Sequence, residues 1–205
     1  MAKPDRRTER TRAALMSAFV NLLLNEGYDA VTVERVAERA NVGRSTFYMH
    51  YKSKDDILRQ SLTRPSSILA VVVGYDLPQE VLVKQLEHFH AQRSRNQIFF
   101  SGPVRAIWVK RLAELIEPRL VAIARHARAR PILPLPLIAL QIAESQIALV
   151  ANWLGGRALV KVDTVAEGLA AATRALLAGL LRCAPGVQLV IPGEKLRFVQ
   201  VEEGS

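Results

Sequence analysis

Basic side chains occur in three short runs along the chain, and their guanidinium and ammonium groups could bind an anionic partner. The runs are Arg6, Arg7, Arg10 and Arg12; Arg44, Lys52 and Lys54; and Arg125, Arg128 and Arg130. The formal net charge of the 205-residue chain is +9, and the excess is spread over its whole length. Charge alone therefore does not locate a nucleic-acid surface, because solvated faces and helix C-termini also carry such runs.

Other residue patterns that could support catalysis or metal binding do not match their motifs, so we expect no enzyme and no cofactor. The stretch Gly43-Arg-Ser-Thr-Phe fails as a nucleophile elbow at its fifth position, and Gly155-Gly156 is typical of a helix end. Glu87, His88 and His90 suggest a metal sensor, but positions i and i+2 of a helix point apart. No metal site is therefore predicted.

The composition favours a soluble globular protein of one or two domains, with 50% hydrophobic and 23% charged residues. No membrane span is expected, because the uncharged stretches 131–143 and 145–156 fall short of the roughly 18 apolar residues that one needs. Cys183 is the single cysteine and cannot form an intrachain disulfide, so a redox switch based on it would be intermolecular. The polar N-terminus lacks the apolar region of a secretory signal, and a reducing cytoplasm is the expected location.

Apolar residues recur with helical spacing, which predicts an all-α fold. A first helix over about residues 8–25 should end at Gly27, and Thr32 should cap a second short helix. Asn41 tolerates the left-handed conformation that a tight turn needs, and a third short helix should cover residues 44–51. Two short helices joined by such a turn are typical of a helix-turn-helix.

The rest of the chain predicts more helices. Ser53 and Asp56 suggest a capping box for a fourth helix, which Pro65 should break or kink. Later helices are expected at 79–92, around 98–100, from 104 with a kink or restart at Pro118, at 137–154, and at 163–182, where Thr164 and Glu167 suggest a capping box. A linker is expected at 130–136. The segments 187–191 and 196–201 should form a short C-terminal β-hairpin.

The two last long helices have compositions that suggest an interface. Helix 137–154 is apolar nearly all round, which predicts burial on two sides. Small residues in the final helix would let another backbone approach closely; they are Gly168, Ala170, Ala171, Ala172, Ala175, Ala178 and Gly179. A second copy of the chain is the expected partner, because a long exposed apolar face favours aggregation. The alternative is burial within the same monomer.

Residues 11–58 resemble the DNA-binding domain of the TetR (tetracycline-repressor-like) family of transcriptional regulators. The resemblance rests on Gly27-Tyr28, on Thr32-Val33-x-x-Val36-Ala37-x-x-Ala40-x-Val42, and on Arg44-Ser-Thr46-Phe47-Tyr48-x-x-Tyr51-x-Ser53-Lys54-x-x-Ile57-Leu58. It covers about a quarter of the chain. It implies a helix-turn-helix DNA-binding domain at 1–54 and a larger helical effector-binding and dimerisation domain at 55–205. The implied function is a repressor that binds a palindromic operator as a homodimer and is released by a small-molecule effector; the alternative is a helical ligand-binding protein that does not read DNA.

The resemblance also implies which residues contact DNA. Packing would fall to Val36, Ala37, Val42 and Phe47, and the third helix would enter the major groove. Arg44 is the first candidate for base readout, because a guanidinium can bond both acceptors of guanine, with Ser45 and Thr46 as shorter-range partners. The expected phosphate contacts are Thr32, Tyr48, His50, Lys52 and Lys54. Arg6, Arg7 and Arg10 would form an arm for the minor groove or a frayed tail.

The chain departs from the family pattern in ways that leave the operator sequence open. Gly43 replaces the common Ser or Thr before the recognition helix and is a weaker cap. Ser45 replaces a common Gly, and Met49-His50-Tyr51 replaces the usual His-Tyr-Phe. These differences change the start of the recognition helix and its exposed side chains.

For the effector pocket, the resemblance gives only a region. The candidates are polar or aromatic residues on otherwise buried faces of the C-terminal part: His88, Trp108, Gln141, Glu144 and Asn152, with His90 and Trp153 considered beside them. Residues of this kind are more often satisfied core or interface residues than ligand contacts. The homodimer would form through the last two long helices.

Overall fold

The structure of the protein is a computed structural model that describes residues 6–74 and 79–182 and the backbone of 187–190 and 197–200. The described residues are almost entirely helical, which confirms the predicted all-α fold. They divide into two compact units. The first runs to Thr63 and also contains Ile98–Trp108; the second contains Arg64–Gln97 and the chain from Val109. Cys183 lies outside the described residues.

Four helices form most of the first unit. They are α1 (Arg6–Glu26), α2 (Val33–Arg39), α3 (Arg44–His50) and α4 (Lys54–Ser61). Its core is a compact apolar cluster of Leu15, Phe19, Leu23, Phe47, Ile57 and Leu58, all fully buried. Gly27 ends α1 with φ +84°, a left-handed conformation that favours glycine. The predicted role of Gly27 as a helix stop is therefore confirmed.

The turn between α2 and α3 has the predicted chemistry. Asn41 adopts φ +53°, and the Val42 amide donates to the carbonyl of Ala37 at 3.0 Å. Of the four residues expected to pack the two helices together, Val36, Ala37 and Phe47 are buried, while Val42 is partly exposed. The helix-turn-helix arrangement is thus fixed by a left-handed residue and by three buried side chains.

The N-terminus of α1 differs from the expectation of a frayed basic tail. Arg6, Arg7 and Arg10 lie inside the first turns of α1, and all three are exposed. The apolar stripe of α1 begins only at Leu15, so hydrophobic spacing gave no signal for the earlier turns. Helix formation there is supported by Glu9 near the positive end of the helix dipole.

The second unit is a larger helical assembly. It contains α5 (Thr63–Val71) from its second residue, α6 (Gln79–Ala91), α7 (Arg93–Asn96), most of α8 (Gly102–His126), α9 (Leu135–Leu154) and α10 (Val162–Leu180). A 3₁₀ turn at Gln97–Phe100 precedes α8. Helix α10 packs on both α9 and α6. Its core is built from apolar side chains such as Leu86, Leu112, Ile142 and Leu177.

The structure bears on two predicted proline breaks. Pro118 does not restart α8, which is helical from Gly102 to His126. Ile116 and Leu120 on either side of it are fully buried, and their packing offsets the hydrogen bond that proline cannot donate. The break near Pro65 comes earlier than predicted, at Leu62, which caps α4. Pro65 itself lies in the first turn of α5, where a missing N–H is tolerated.

The capping prediction for the last helix is wrong. Helix α10 begins at Val162 after Lys161, which makes no side-chain capping bond, so Thr164 is already inside the first turn. The helix also ends at Leu180 instead of residue 182, because Leu181–Arg182 pair antiparallel with Arg130–Pro131. The predicted linker at 130–136 therefore contains a two-residue strand, and α9 begins at Leu135.

The predicted C-terminal strands are present. Val187–Val190 pairs antiparallel with Arg197–Gln200, with Val187 opposite Gln200. The turn expected at residues 192–193 lies outside the described residues. Helix α9 is longer than the uncharged stretches on which the sequence expectation rested, and by length and composition alone it could cross a membrane. Half of that window is buried inside the protein, and a core helix passes the same test.

Candidate nucleic-acid interface

Helix α3 presents one exposed face. Its buried side is Phe47, which packs against Tyr51 with ring centroids 5.7 Å apart. The opposite side exposes the positions Arg44, Ser45, Tyr48 and Met49, which are spaced as one helical face. Three of these four residues were predicted to contact DNA. Thr46 is partly exposed beside them.

Arg44 begins α3 and is held by two neighbours. Its Nη1 lies 3.1 Å from Glu34 Oε1 on α2, and its guanidinium carbon lies 5.6 Å from the centre of the Tyr48 ring. Nη2 donates a long hydrogen bond of 3.5 Å to the Tyr48 hydroxyl. The hydrogen bond to Tyr48 and the charge of Glu34 raise the pKa of Arg44. The side chain is 62% exposed, so it can still reach a partner in solution.

Glu34 was not singled out from the sequence. A hydrogen bond from its own backbone N–H is the main cause that lowers the pKa of Glu34, and Arg44 and Thr32 lower it further. The carboxylate is thus ionised at neutral pH in the first turn of α2, where a helix dipole favours negative charge. No sequence signal pointed to this residue, because its partner is ten residues away across the turn.

Met49 is the second residue that sequence reasoning missed as a candidate. Its side chain is 75% exposed on the exposed face of α3. An apolar side chain there can contact the methyl group of thymine. Helical spacing could have identified Met49 as exposed, because it falls outside the apolar stripe of Phe47 and Tyr51.

The predicted phosphate contacts are placed unevenly. Thr32 is exposed and caps α2, its Oγ1 accepting from the Arg35 amide at 3.3 Å. Lys52 is exposed and His50 is partly exposed. Lys54 is engaged inside the unit, because its ammonium donates to the carbonyls of Tyr28 and Val31, both at 3.3 Å.

Lys54 and its neighbours form a local clamp at the start of α4. The Lys54 ammonium lies 4.4 Å from the centre of the Tyr28 ring, and the Tyr28 hydroxyl donates to Asp55. Burial, followed by the hydrogen bond to Asp55, raises the pKa of Tyr28. These contacts connect the 28–31 loop to α4 and give Lys54 a structural role. Its phosphate contact stays a prediction.

The caps of the three short helices differ. Thr32 and Ser53 both accept a backbone N–H with their side chains, which confirms two predicted caps. The predicted capping box at Ser53 is incomplete, because Asp56 Oδ2 accepts from the Lys52 amide at 2.9 Å instead of from Ser53. Gly43 caps α3 without any side-chain bond. Helix α3 is therefore the least capped of the three.

The candidate pocket residues lie on three helices, α6, α8 and α9. Trp108 belongs to the first unit, where it packs on Phe100 with centroids 4.8 Å apart. Gln141 and Asn152 lie on the exposed side of α9, and Glu144 is partly exposed. His88 is exposed, and His90 stacks on Trp153 at 5.0 Å. Within residues 6–74 and 79–182, no group of three or more His, Cys, Asp or Glu could hold a metal ion.

Sequence reasoning missed the buried polar residues of the second unit. Gln146 on α9 donates to the Leu69 carbonyl at 3.3 Å and to Thr173 Oγ1 at 3.0 Å. Its Oε1 and the Oγ of Ser66 on α5 are buried and make no hydrogen bond to the described residues. Periodicity could have found Gln146, because it shares a helical face with Ile142 and Val150, whereas Gln141 and Asn152 do not.

Comparisons with known proteins agree with this geometry. A family model described as bacterial regulatory proteins of the tetR family matches residues 15–60. YwcC of Bacillus subtilis (strain 168), an uncharacterised HTH-type transcriptional regulator, is 32% identical over 94 residues, which are 45% of this chain and 42% of YwcC. The chain spans less than half the length of the curated relatives it matches.

Solved structures extend the similarity beyond the N-terminal unit. A TetR transcriptional regulator from Streptococcus agalactiae 2603V is 28% identical, with a TM-score of 0.53 over 82% of this chain and 96% of that one. FadR of Thermus thermophilus, a TetR-family repressor in complex with lauroyl-CoA, is 23% identical, with a TM-score of 0.51 over 89% and 99% of the two chains. The FadR likeness concerns the fold alone.

Proposed function

Because the chain belongs to the TetR family of helix-turn-helix regulators, we propose that it is a transcriptional repressor that binds a palindromic operator as a homodimer. The observation that carries the DNA-binding part is the exposed face of α3, which begins with Arg44 at the helix N-terminus. In a helix-turn-helix, the N-terminal residues of the second helix contact base edges. We place the protein in the bacterial cytoplasm, where its DNA partner is.

Roles on the DNA follow from the placement of each side chain. Arg44 would bond the O6 and N7 atoms of a guanine, and Ser45 and Thr46 would contact neighbouring bases. Tyr48, His50, Lys52 and Thr32 would contact phosphates and so position the helix without reading sequence. Lys54 would contact a phosphate only after breaking its hydrogen bonds to two carbonyls, so we expect it to contribute least to DNA affinity.

The homodimer would form through the outward faces of α9 and α10. Leu137 and Leu140 on α9 are 53% and 42% exposed in the single chain. The outward positions of α10 are small residues; those that are exposed are Gly168, Ala171, Ala172, Ala175, Ala178 and Gly179. Leucines on one helix and small residues on the next suit close packing against a second copy. The predicted burial of α9 on two sides would then be complete only in the dimer.

The effector would bind inside the second unit and shift the population between DNA-competent and incompetent dimers. Buried polar atoms without a partner are rare in native proteins, and each marks a place where a bound group or a water could sit. Gln146 Oε1 and Ser66 Oγ are such atoms. We propose that a small neutral molecule with a hydrogen-bond donor is the effector class, because these two buried atoms carry no charge.

A selection of bound sequences from a random duplex pool at near-physiological salt tests the proposal. Recovery of a palindrome would support a dimeric regulator, and its half-sites should lie about one DNA turn apart, roughly 34–36 Å. Affinity for the recovered duplex should fall steeply with salt, because Lys and Arg contacts release counterions. Recovery of no sequence above background, with no salt-dependent binding, would favour the helical ligand-binding protein that does not read DNA.

A further inference from the structure

The carboxylate of Glu34 and the guanidinium of Arg44 form an ion pair across the helix-turn-helix. Glu34 lies on α2 and Arg44 on α3, and their side chains are 56% and 62% exposed. The pair is therefore not a buried structural bridge. It joins the residue proposed to read a base to a negative charge on the neighbouring helix.

We propose that Glu34 is a specificity-determining residue, which holds the Arg44 guanidinium away from phosphates and stays paired with it while its remaining donors bond a guanine. The inference rests on the proposed DNA-binding function. It assigns a role in recognition to a residue whose charge would otherwise oppose binding to a polyanion.

The relative strengths of the contacts support this role. An exposed ion pair of this kind is worth about a two- to fivefold change in an equilibrium constant. A single phosphate contact to Arg44 only exchanges one anionic acceptor for another, so it gains little. A bidentate contact to guanine discriminates by about five- to 150-fold, and a guanidinium with five donors can make it without losing the ion pair.

Tyr48 further limits the positions that the Arg44 side chain can adopt. The guanidinium lies over the Tyr48 ring, and Nη2 points to the Tyr48 hydroxyl. With Glu34 on one side and Tyr48 on the other, Arg44 is held close to the N-terminus of α3. A side chain held in place loses less conformational freedom when it binds, which favours the contact that fits its position.

Glu34→Gln tests the inference, because it removes the charge and keeps the shape of the side chain. Binding is measured on the selected operator and on a random duplex of equal length, over a series of KCl concentrations. We expect binding to the random duplex to tighten by about two- to fivefold, and the salt dependence there to steepen by about one phosphate contact. Operator affinity should change less, so the ratio of operator to random affinity should fall.

Glu38→Gln is the matched control, since Glu38 is exposed on the same helix and outside the Arg44 pair. An equal rise in random binding for both variants would reduce the effect to net charge and overturn the inference. An Arg44→Ala background gives a second check, because the Glu34→Gln effect on the affinity ratio should disappear there. Persistence of the effect would also overturn it, and thermal unfolding of each variant shows that the helices remain folded.

The outcomes separate this inference from the function on which it rests. If the wild-type protein binds no duplex at any salt concentration, the proposed function fails and the inference fails with it. If the wild type binds a palindrome and Glu34→Gln leaves the ratio of operator to random affinity unchanged, only the inference fails.

Discussion

The exposed face of α3 and the outward faces of α9 and α10 offer opposite surfaces to their surroundings. On α3, Arg44 and Tyr48 contact each other, and Glu34 completes an ion pair, so this polar face is stable in water. On α9, Leu137 and Leu140 are exposed without such compensation. The α3 face can remain exposed to water until a partner binds, whereas the apolar faces of α9 and α10 should be buried when the protein assembles.

This difference teaches how a partner can be inferred from a surface. The chemistry of the α3 face, with a cation that can bond two acceptors, points to a class of ligand by itself. The α9 and α10 faces point to a partner only through shape and the loss of apolar surface, which suits a second copy of the same surface.

The largest expected effect is on the apolar surface, from Leu140→Glu. A carboxylate at this position would be buried without a partner in a dimer, which costs about 3–5 kcal/mol for each unpaired charge. Sedimentation should therefore show monomers where the wild type shows dimers. Leu159→Glu is the control, because Leu159 lies after the end of α9 and is fully exposed. Equal behaviour of the two variants would exclude the α9 face from the interface.

The next effect concerns the polar surface, from Arg44→Ala. Loss of a bidentate guanine contact should cost roughly 1–3 kcal/mol of operator binding and relax the preference at one base position. Lys52→Ala should instead weaken binding to all sequences and reduce the salt slope by about 1. Binding titrations on operator and random duplexes compare the two. Equal losses for Arg44→Ala on both duplexes would rule out base reading.

A smaller effect is expected inside the second unit, from Gln146→Leu. The substitution removes two hydrogen bonds, worth about 1 kcal/mol each, and also removes an unpartnered oxygen whose burial costs about 1–3 kcal/mol. The free energy of unfolding in urea should therefore stay within about 1 kcal/mol of the wild-type value. A loss of several kcal/mol would show that the α9–α10 contact depends on polar bonds and not on apolar packing.

The smallest expected effect is on the stability of α3, the proposed recognition helix, from Gly43→Ser. The backbone of Gly43 has φ −71°, which any residue adopts, and an added Cβ would meet only ordinary contacts of 3.7 and 3.9 Å. A serine hydroxyl could accept a hydrogen bond from a free backbone amide of α3 and add a few tenths of a kcal/mol to the free energy of unfolding. Thermal unfolding measures this, with Gly43→Ala as the uncapped control. A lower melting temperature for the serine variant than for the alanine variant would contradict the capping argument.

Local patterns in the sequence predicted most of the first unit. Gly27, Thr32 and Asn41 each act through their own backbone or through a neighbour three to five residues away, and the structure confirms all three. Such signals are short-range and depend directly on the residue type at each position. The family resemblance added the order of these elements and the assignment of α3 to recognition.

Features that depend on distant parts of the chain were not predicted. The pairing of Arg130–Pro131 with Leu181–Arg182 joins segments about fifty residues apart, and it moves the end of α10. The Glu34–Arg44 pair depends on the angle between two helices, which spacing along one helix does not give. The choice of polar residues on α9 ignored which face packs inward, so Gln141 and Asn152 lie on its exposed side.

The short ladder between Arg130–Pro131 and Leu181–Arg182 has a consequence for how the second unit folds. With the Ile132 amide donating to the Leu180 carbonyl at 3.0 Å, it closes the ends of a continuous segment that contains α9 and α10. Such a closed segment of contiguous chain is suited to open and close as one cooperative unit. In native-state hydrogen exchange, the amides of Ile132 and of the α9 core should therefore lose protection together.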